Sequence, residues 1–154
     1  MLGPAMSSAE PKPLLMTPHQ ALEKYFGFPG FLEGQETVIS NIVGGGDGLV
    51  VMPTGGGKSL CYQIPALSRP GMGLVVSPLI ALMVDQVAAL RQAGVRAEAL
   101  NSNLQPDERR ALWADIRAGK VSILYAAPET LLKPDVLDAL QDVSLSLIAI
   151  DEAH

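Results

Sequence analysis

Met52-Pro53-Thr54-Gly55-Gly56-Gly57-Lys58-Ser59 is the stretch of this 154-residue chain whose residue types best suit phosphate chemistry. It follows an apolar run of strand length, Leu49-Val50-Val51-Met52, and opens a helical stretch from Lys58. Consecutive glycines let backbone N–H groups turn inward and form a nest for phosphate oxygens, and a helix N-terminus adds positive dipole. In such a loop Thr54, Gly55, Gly56 and Gly57 surround the phosphates. Lys58 can reach the β- and γ-phosphates, and the Ser59 hydroxyl can ligate Mg²⁺. The strict pattern has glycine six residues before the lysine, where this chain has Met52. The plain alternative is an ordinary glycine-rich strand-to-helix turn. The coincidence of strand, three glycines and Lys-Ser argues for the phosphate loop.

The second candidate is Ile150-Asp151-Glu152-Ala153-His154, an acidic pair at the end of an apolar run. Asp151 there can hold Mg²⁺ through its water shell, and Glu152 can orient and polarise an attacking water. Alone, the pair reads as a solvated acidic terminus. Downstream of a phosphate loop, it reads as the other half of one ATP- and Mg²⁺-binding site, with Lys58, Asp151 and Glu152 as its catalytic residues.

These motifs need a scaffold that brings them together. Thr17-Pro18-His19-Gln20 has the form of a capping box with proline at the first helical position, and Gly27 and Pro29 stop that helix near Tyr25. A second helix is expected over 34–43, ended by a glycine-rich break. Beyond it, apolar runs at 49–52, 73–76, 97–100, 121–126 and 145–150 alternate with helical stretches. One helix places Ile80, Met83, Val84, Val87 and Leu90 on a common face, and another, over 106–118, turns Leu112, Trp113 and Ile116 inward. Five strands separated by helices predict an α/β fold with a mostly parallel sheet covered on both faces. Ligands in such sheets bind at the carboxyl ends of the strands, where both motifs fall. Residues 1–16, with three prolines and little periodicity, read as a mobile tail without the pattern of a signal peptide.

Composition excludes several classes. Hydrophobic residues make up 48% of the chain and charged residues 18%, so it is not a disordered polyelectrolyte. The longest apolar stretches run only a few residues, and no membrane partner is expected. The net charge of −5 excludes nucleic-acid binding driven by overall charge. Any phosphate backbone must be met at local sites through N–H groups and hydroxyls. The single cysteine, Cys61, excludes an internal disulfide and fits a reducing compartment.

With both motifs in hand, the chain resembles the first RecA-like motor domain of RecQ-family DNA helicases in superfamily 2. The resemblance runs from about Gln20 to His154. It rests on the wording of the phosphate loop, which explains the missing first glycine, and on Leu60-Cys61-Tyr62-Gln63-Ile64-Pro65-Ala66 after it. It rests also on Val76-Ser77-Pro78-Leu79-Ile80-Ala81-Leu82-Met83 with Asp85-Gln86, on Leu100-Asn101-Ser102, on Tyr125-Ala126-Ala127-Pro128-Glu129, and on Asp151-Glu152-Ala153-His154. The resemblance implies an ATP-dependent helicase acting on single-stranded or partially duplex DNA in the 3′→5′ direction, in recombination and repair. Protein partners are not implied. It implies a cytoplasmic, nucleoid-associated protein if bacterial, and a nuclear one if eukaryotic.

The resemblance also assigns roles. Residues 17–43 become an adenine-recognition segment within a motor domain over 17–154, with Gln35 on the adenine edge and Phe28 stacked on the base, while Phe26 and Phe31 pack in the core. Leu32 stands where the family usually carries arginine, so a weaker nucleotide contact is expected there. His154 takes the family's coupling role, and Ser77 and Asn101 lie on the surface that carries single-stranded DNA. Tyr62, Trp113 and His19 receive no functional role. In the family, a second motor domain supplies arginines to the γ-phosphate, and a further strand lies between the phosphate-loop strand and the acidic strand. The chain thus reads as a motor domain truncated on its C-terminal side, with two open inner strand edges. The isolated chain is then expected to fold poorly and to show neither DNA-stimulated hydrolysis nor unwinding. A short nucleotide- or partner-binding module remains the alternative from another class. An RNA helicase of the same superfamily and a small-molecule kinase fit the motif wording less well.

Overall fold

The computed structural model describes residues 14–31, 34–44, 49–53 and 59–152, with 49–53 and 152 as backbone. A one-turn helix α1 (Pro18–Ala21) continues into a π-helical turn (Leu22–Phe26). Helix α2 (Gln35–Gly44) precedes strand β1 (Leu49–Pro53). Then come α3 (Leu60–Ser68), β2 (Met72–Val76), α4 (Ile80–Gln92) and β3 (Ala97–Leu100). Helix α5 (Pro106–Arg117), β4 (Ile123–Ala126), α6 (Pro128–Leu131), α7 (Pro134–Leu140) and β5 (Leu145–Glu152) complete the order.

The five strands form one sheet in the order β1-β5-β2-β4-β3, parallel at every pairing. Strand alternation sends successive side chains to opposite faces. Val75, Ala97, Tyr125, Leu147 and Ala149 meet Tyr62 and Ala66 of α3 and Met83, Val87 and Leu90 of α4 on one face. Leu74, Leu100, Leu124 and Ala126 meet Leu112, Trp113 and Ile116 of α5 and Val136 and Leu140 of α7 on the other. A third cluster, Ala21, Leu22, Ile39 and Ile64, docks α1 and α2 onto α3.

The local signals behave as their chemistry dictates. The Thr17 hydroxyl accepts from the Gln20 amide N–H at 3.1 Å, and the Gln20 side-chain carbonyl accepts from the Thr17 N–H at 2.8 Å. Gly27, at φ 70°, ends the π-helical turn. A second box, between Gln105 and Glu108, opens α5 behind Pro106.

Three expectations change. The expected tail ends earlier than Thr17, because Leu15 N–H donates to Ser68 O at 2.7 Å and Met16 packs against the third cluster. The carbonyls of the last turn of α3 lack intrahelical partners, and an incoming N–H supplies one. The face expected along α4 is narrower. Met83, Val87 and Leu90 are buried, but Val84 is 53% exposed. The sheet covers only that single line, and Val84 turns with Ala88 and Arg91 toward a cleft beside β3. Finally, no open seam separates β1 from β5. They pair directly from Leu49↔Ile148 to Pro53↔Glu152. Where no strand stands between them, the N–H and C=O groups of the two edges satisfy each other. That ground for poor folding is absent.

The connection from α3 to β2 leaves no room for a side chain. Gly71 sits at φ 103°, and a Cβ there would lie 2.8 Å from Ser144 O and from Ser146 N. Gly94, at φ 92°, has nothing within 4 Å of the same position. Gly71→Ala is expected to destabilise the fold by more than about 2 kcal/mol, and Gly94→Ala by only about 1 kcal/mol. Urea denaturation of the two variants measures the difference.

Candidate active site

The carboxyl edge of β1 and β5 gathers the chemistry. Met52 is opposite Asp151, and Pro53 is opposite Glu152. Neighbouring strands lie about 4.8 Å apart. The end of β1, which leads into the 54–58 stretch, therefore lies beside the acidic pair, although nearly a hundred positions separate them in sequence. Thr54, Gly55, Gly56, Gly57, Lys58 and His154 lie outside the described residues, as does Leu32. The chain is described again at Ser59, the N-cap of α3, whose side chain makes no capping bond to the helix. Its hydroxyl is therefore not used by the helix it precedes.

Asp151 is 7% exposed. Alternation along β5 puts it on the face of Ala149, toward α3 and α4. A carboxylate this deep at a strand end, on the sheet face toward the helix that Ser59 opens, is an oxygen donor of the kind that suits Mg²⁺. That ion takes few protein ligands and completes its shell with water and phosphate oxygens. Among the described residues no cluster of three or more His, Cys, Asp and Glu side chains could hold a metal by itself.

The 17–43 segment reaches this site through α3. Phe28 is 51% exposed, whereas Phe26 and Phe31 pack against the α1–α2–α3 cluster. Gln35 opens α2. His19 does more than start a helix: its Nε2 lies 2.8 Å from a Glu36 carboxylate oxygen, and its ring meets Phe31 edge-on at 4.9 Å between centroids. It thereby ties α1 to α2. Its partners are distant in sequence and carry no spacing signal.

Ser77 and Asn101 lie just beyond β2 and β3, at the same edge of the sheet. Both are buried, at 1% and 6% exposure. Ser77 N–H donates to Ala126 O, and its hydroxyl is buried without a hydrogen-bond partner. Asn101 accepts from the Asn103 N–H at 2.8 Å, folding the turn after β3. Both residues shape loops.

Behind Asp151 lies a polar group to which the sequence assigned no role. Tyr62 donates to Gln86 Oε1 at 2.7 Å, its hydroxyl lies 3.2 Å from that of Tyr125, and Gln63 Nε2 donates to Tyr125 at 3.0 Å. Burial holds both phenols protonated above their usual range, and the Asp151 charge adds to this. Tyr125 is pushed up to about 12. The cleft beside β3, about 590 Å³ and lined by Val84, Arg91, Glu98 and Asp115 among others, is at the far edge of the sheet from β1. Arg91 closes part of it by donating to Ala97 O and Glu98. It takes no part in the acidic site.

A model of the DEAD/DEAH box helicases matches residues 32–154. The chain belongs to that family. Its relatives are of the RecQ type. It is 48% identical over 136 residues to the probable ATP-dependent DNA helicase RecS of Bacillus subtilis, covering 88% of this chain and 27% of that protein. It is 41% identical over 152 residues to the ATP-dependent DNA helicase RecQ of Haemophilus influenzae, covering 99% of this chain and 24% of that protein. It is 43% identical over 142 residues to the RecQ of Pasteurella multocida, covering 92% and 22%. The chain thus spans about a quarter of the length of these curated relatives. No helix among the described residues is long and apolar enough to cross a membrane.

The phenols also set a pH limit. A group whose folded pKa is raised supports the fold fully below its unfolded value and loses that support as pH climbs through the folded value. For Tyr125 the window runs from 10.0 to about 12. Melting temperature is expected to fall across that window, and tyrosinate absorbance from Tyr125 should appear only toward its upper end. A spectrophotometric titration followed beside circular dichroism checks both.

Proposed function

We propose that this chain binds Mg²⁺–ATP at the carboxyl edge of β1 and β5 and hydrolyses it within a motor that moves along DNA and unwinds it. The observation that supports this is the register Met52↔Asp151 and Pro53↔Glu152, which sets the entry to the phosphate loop against the acidic pair. In this reading Thr54, Gly55, Gly56 and Gly57 wrap the phosphates with N–H groups, and Lys58 neutralises the β- and γ-phosphates. Ser59 and Asp151 hold Mg²⁺, whose charge offsets that developing on the phosphate oxygens. Glu152 takes up a proton from the attacking water. Phe28 stacks on the adenine and Gln35 reads its edge, within a recognition segment over 17–43 of a motor domain over 17–154. His154 couples hydrolysis to movement.

Single-stranded DNA runs over the loops that follow β2 and β3. With Ser77 and Asn101 buried, they act by setting those loop backbones, whose N–H groups other than those of Ser77, Asn103 and Leu104 meet phosphates. That mode suits a chain with a net charge of −5. Arginines that complete the γ-phosphate site come from a second motor domain. Such a residue is worth about 10³–10⁵ in rate, so residues 1–154 alone should hydrolyse ATP negligibly. The work belongs to DNA recombination and repair, in the cytoplasm or the nucleus.

The test uses the protein expressed from its complete gene, with ATP hydrolysis measured with and without single-stranded DNA. Lys58→Ala and Asp151→Asn are each expected to lower turnover by at least about 100-fold. Glu152→Gln should lose hydrolysis while still binding ATP. A Lys58→Ala protein that hydrolyses at the parental rate would refute the reading. Stimulation by RNA in place of DNA would reassign the substrate.

A further inference from the structure

Tyr62, Gln63, Gln86 and Tyr125 come from three elements and meet in the layer between the sheet and α3 and α4. The two tyrosines are fully buried. The chain of hydrogen bonds has one consistent direction. Tyr62 gives its proton to Gln86 Oε1 at 2.7 Å, so the 3.2 Å contact between the hydroxyls requires Tyr125 to donate to Tyr62. Gln63 Nε2 in turn donates to Tyr125 at 3.0 Å. The rings meet edge-on, with centroids 6.5 Å apart.

The position of this chain matters more than its existence. Tyr62 lies three residues after Ser59, on the helix that opens from the phosphate loop. Tyr125 shares the sheet face of Asp151, and the carboxylate's charge acts on both hydroxyls. Gln86 lies on α4, the helix entered directly from the loop at 77–79. The Tyr62–Gln86 bond is therefore a polar bridge from α3, the helix that Ser59 opens, to α4, the helix entered from the 77–79 loop. A hydrogen bond depends steeply on distance and angle, and breaking this one leaves the buried Tyr62 hydroxyl without its acceptor.

We infer that Tyr62, Tyr125 and Gln86 are positioning residues that make the setting of the Asp151 acid depend on where α4 lies. Single-stranded DNA on the 77–79 loop shifts α4, the Tyr62–Gln86 bond transmits the shift, and the paired hydroxyls adjust beside the acid. The inference rests on the functional reading above. It adds a route by which DNA raises the hydrolysis rate without touching the nucleotide.

The protein from the complete gene is assayed for ATP hydrolysis over a range of ATP concentrations, with and without a single-stranded oligonucleotide. Tyr62→Phe and Gln86→Leu are each expected to lower the DNA-stimulated kcat about ten-fold, the equivalent of about 1.4 kcal/mol, with KM for ATP within about two-fold of parental. The double variant should be no worse than either single one, because both remove the same bond. Gln86→Glu keeps the acceptor and should retain most of the stimulation. If Tyr62→Phe does not fold, Gln86→Leu and Gln86→Glu carry the comparison. Variants that lower the melting temperature but keep the parental stimulation ratio overturn the inference and leave the functional reading standing. A double variant showing the sum of two losses overturns it as well. A parental protein that DNA does not stimulate removes the functional reading, and this inference with it.

Discussion

Everything at the carboxyl edge of the sheet depends on one pairing. β1 and β5 are the first and last strands of the sheet in sequence, yet they lie side by side and parallel, residue against residue from Leu49↔Ile148 to Pro53↔Glu152. Parallel neighbours end at the same side of a sheet. The last residues of β1 and the acids ending β5 are therefore brought together by backbone pairing, whatever their side chains prefer. A one-residue slip would turn Asp151 to the opposite face, away from α3. β2 on the other side of β5, with Val76 opposite Ile150, holds that register from both flanks.

The layer above this edge is built for close approach. A Cβ on Gly73 would lie 2.6 Å from Ala66 Cβ, so α3 sits directly on β2. That closeness brings Tyr62 and Gln63 within reach of Tyr125 across the sheet. It makes the polar bridge to α4 short enough to be a direct hydrogen bond rather than a water-filled gap. On the opposite face, α5 and α7 bring only apolar side chains from Leu112, Trp113, Ile116, Val136 and Leu140. The two faces thus differ in kind. One is an apolar support, and the other carries a buried network beside Asp151.

The legible parts of the chain were those with short-range causes. The capping box at Thr17 and the five strand runs are local patterns, and each appears where its residues place it. The alternation of strand and helix was enough to give a parallel sheet. The face of α4 was only half legible, because the spacing of apolar residues shows which of them share a side of the helix but not how wide the covering surface is. Val84 is apolar and yet 53% exposed for that reason. The seam expected between β1 and β5 came from resemblance alone, and the backbone hydrogen-bond demand of these two edges overrode it.

By itself, the order of residues determined the two motifs, their places at strand ends and the fold class, since each follows from glycine and proline geometry, side-chain period and the chemistry of a few polar groups. Only the tertiary structure decided the strand order that joins the motifs. It also turned Ser77 and Asn101 inward and assembled Tyr62, Gln86 and Tyr125 from three elements. The physical reason is the same in each case. Which distant backbones pair, and which side chains share a buried layer, is settled by satisfying hydrogen bonds and filling space across the whole sheet, and no local window of sequence contains that balance.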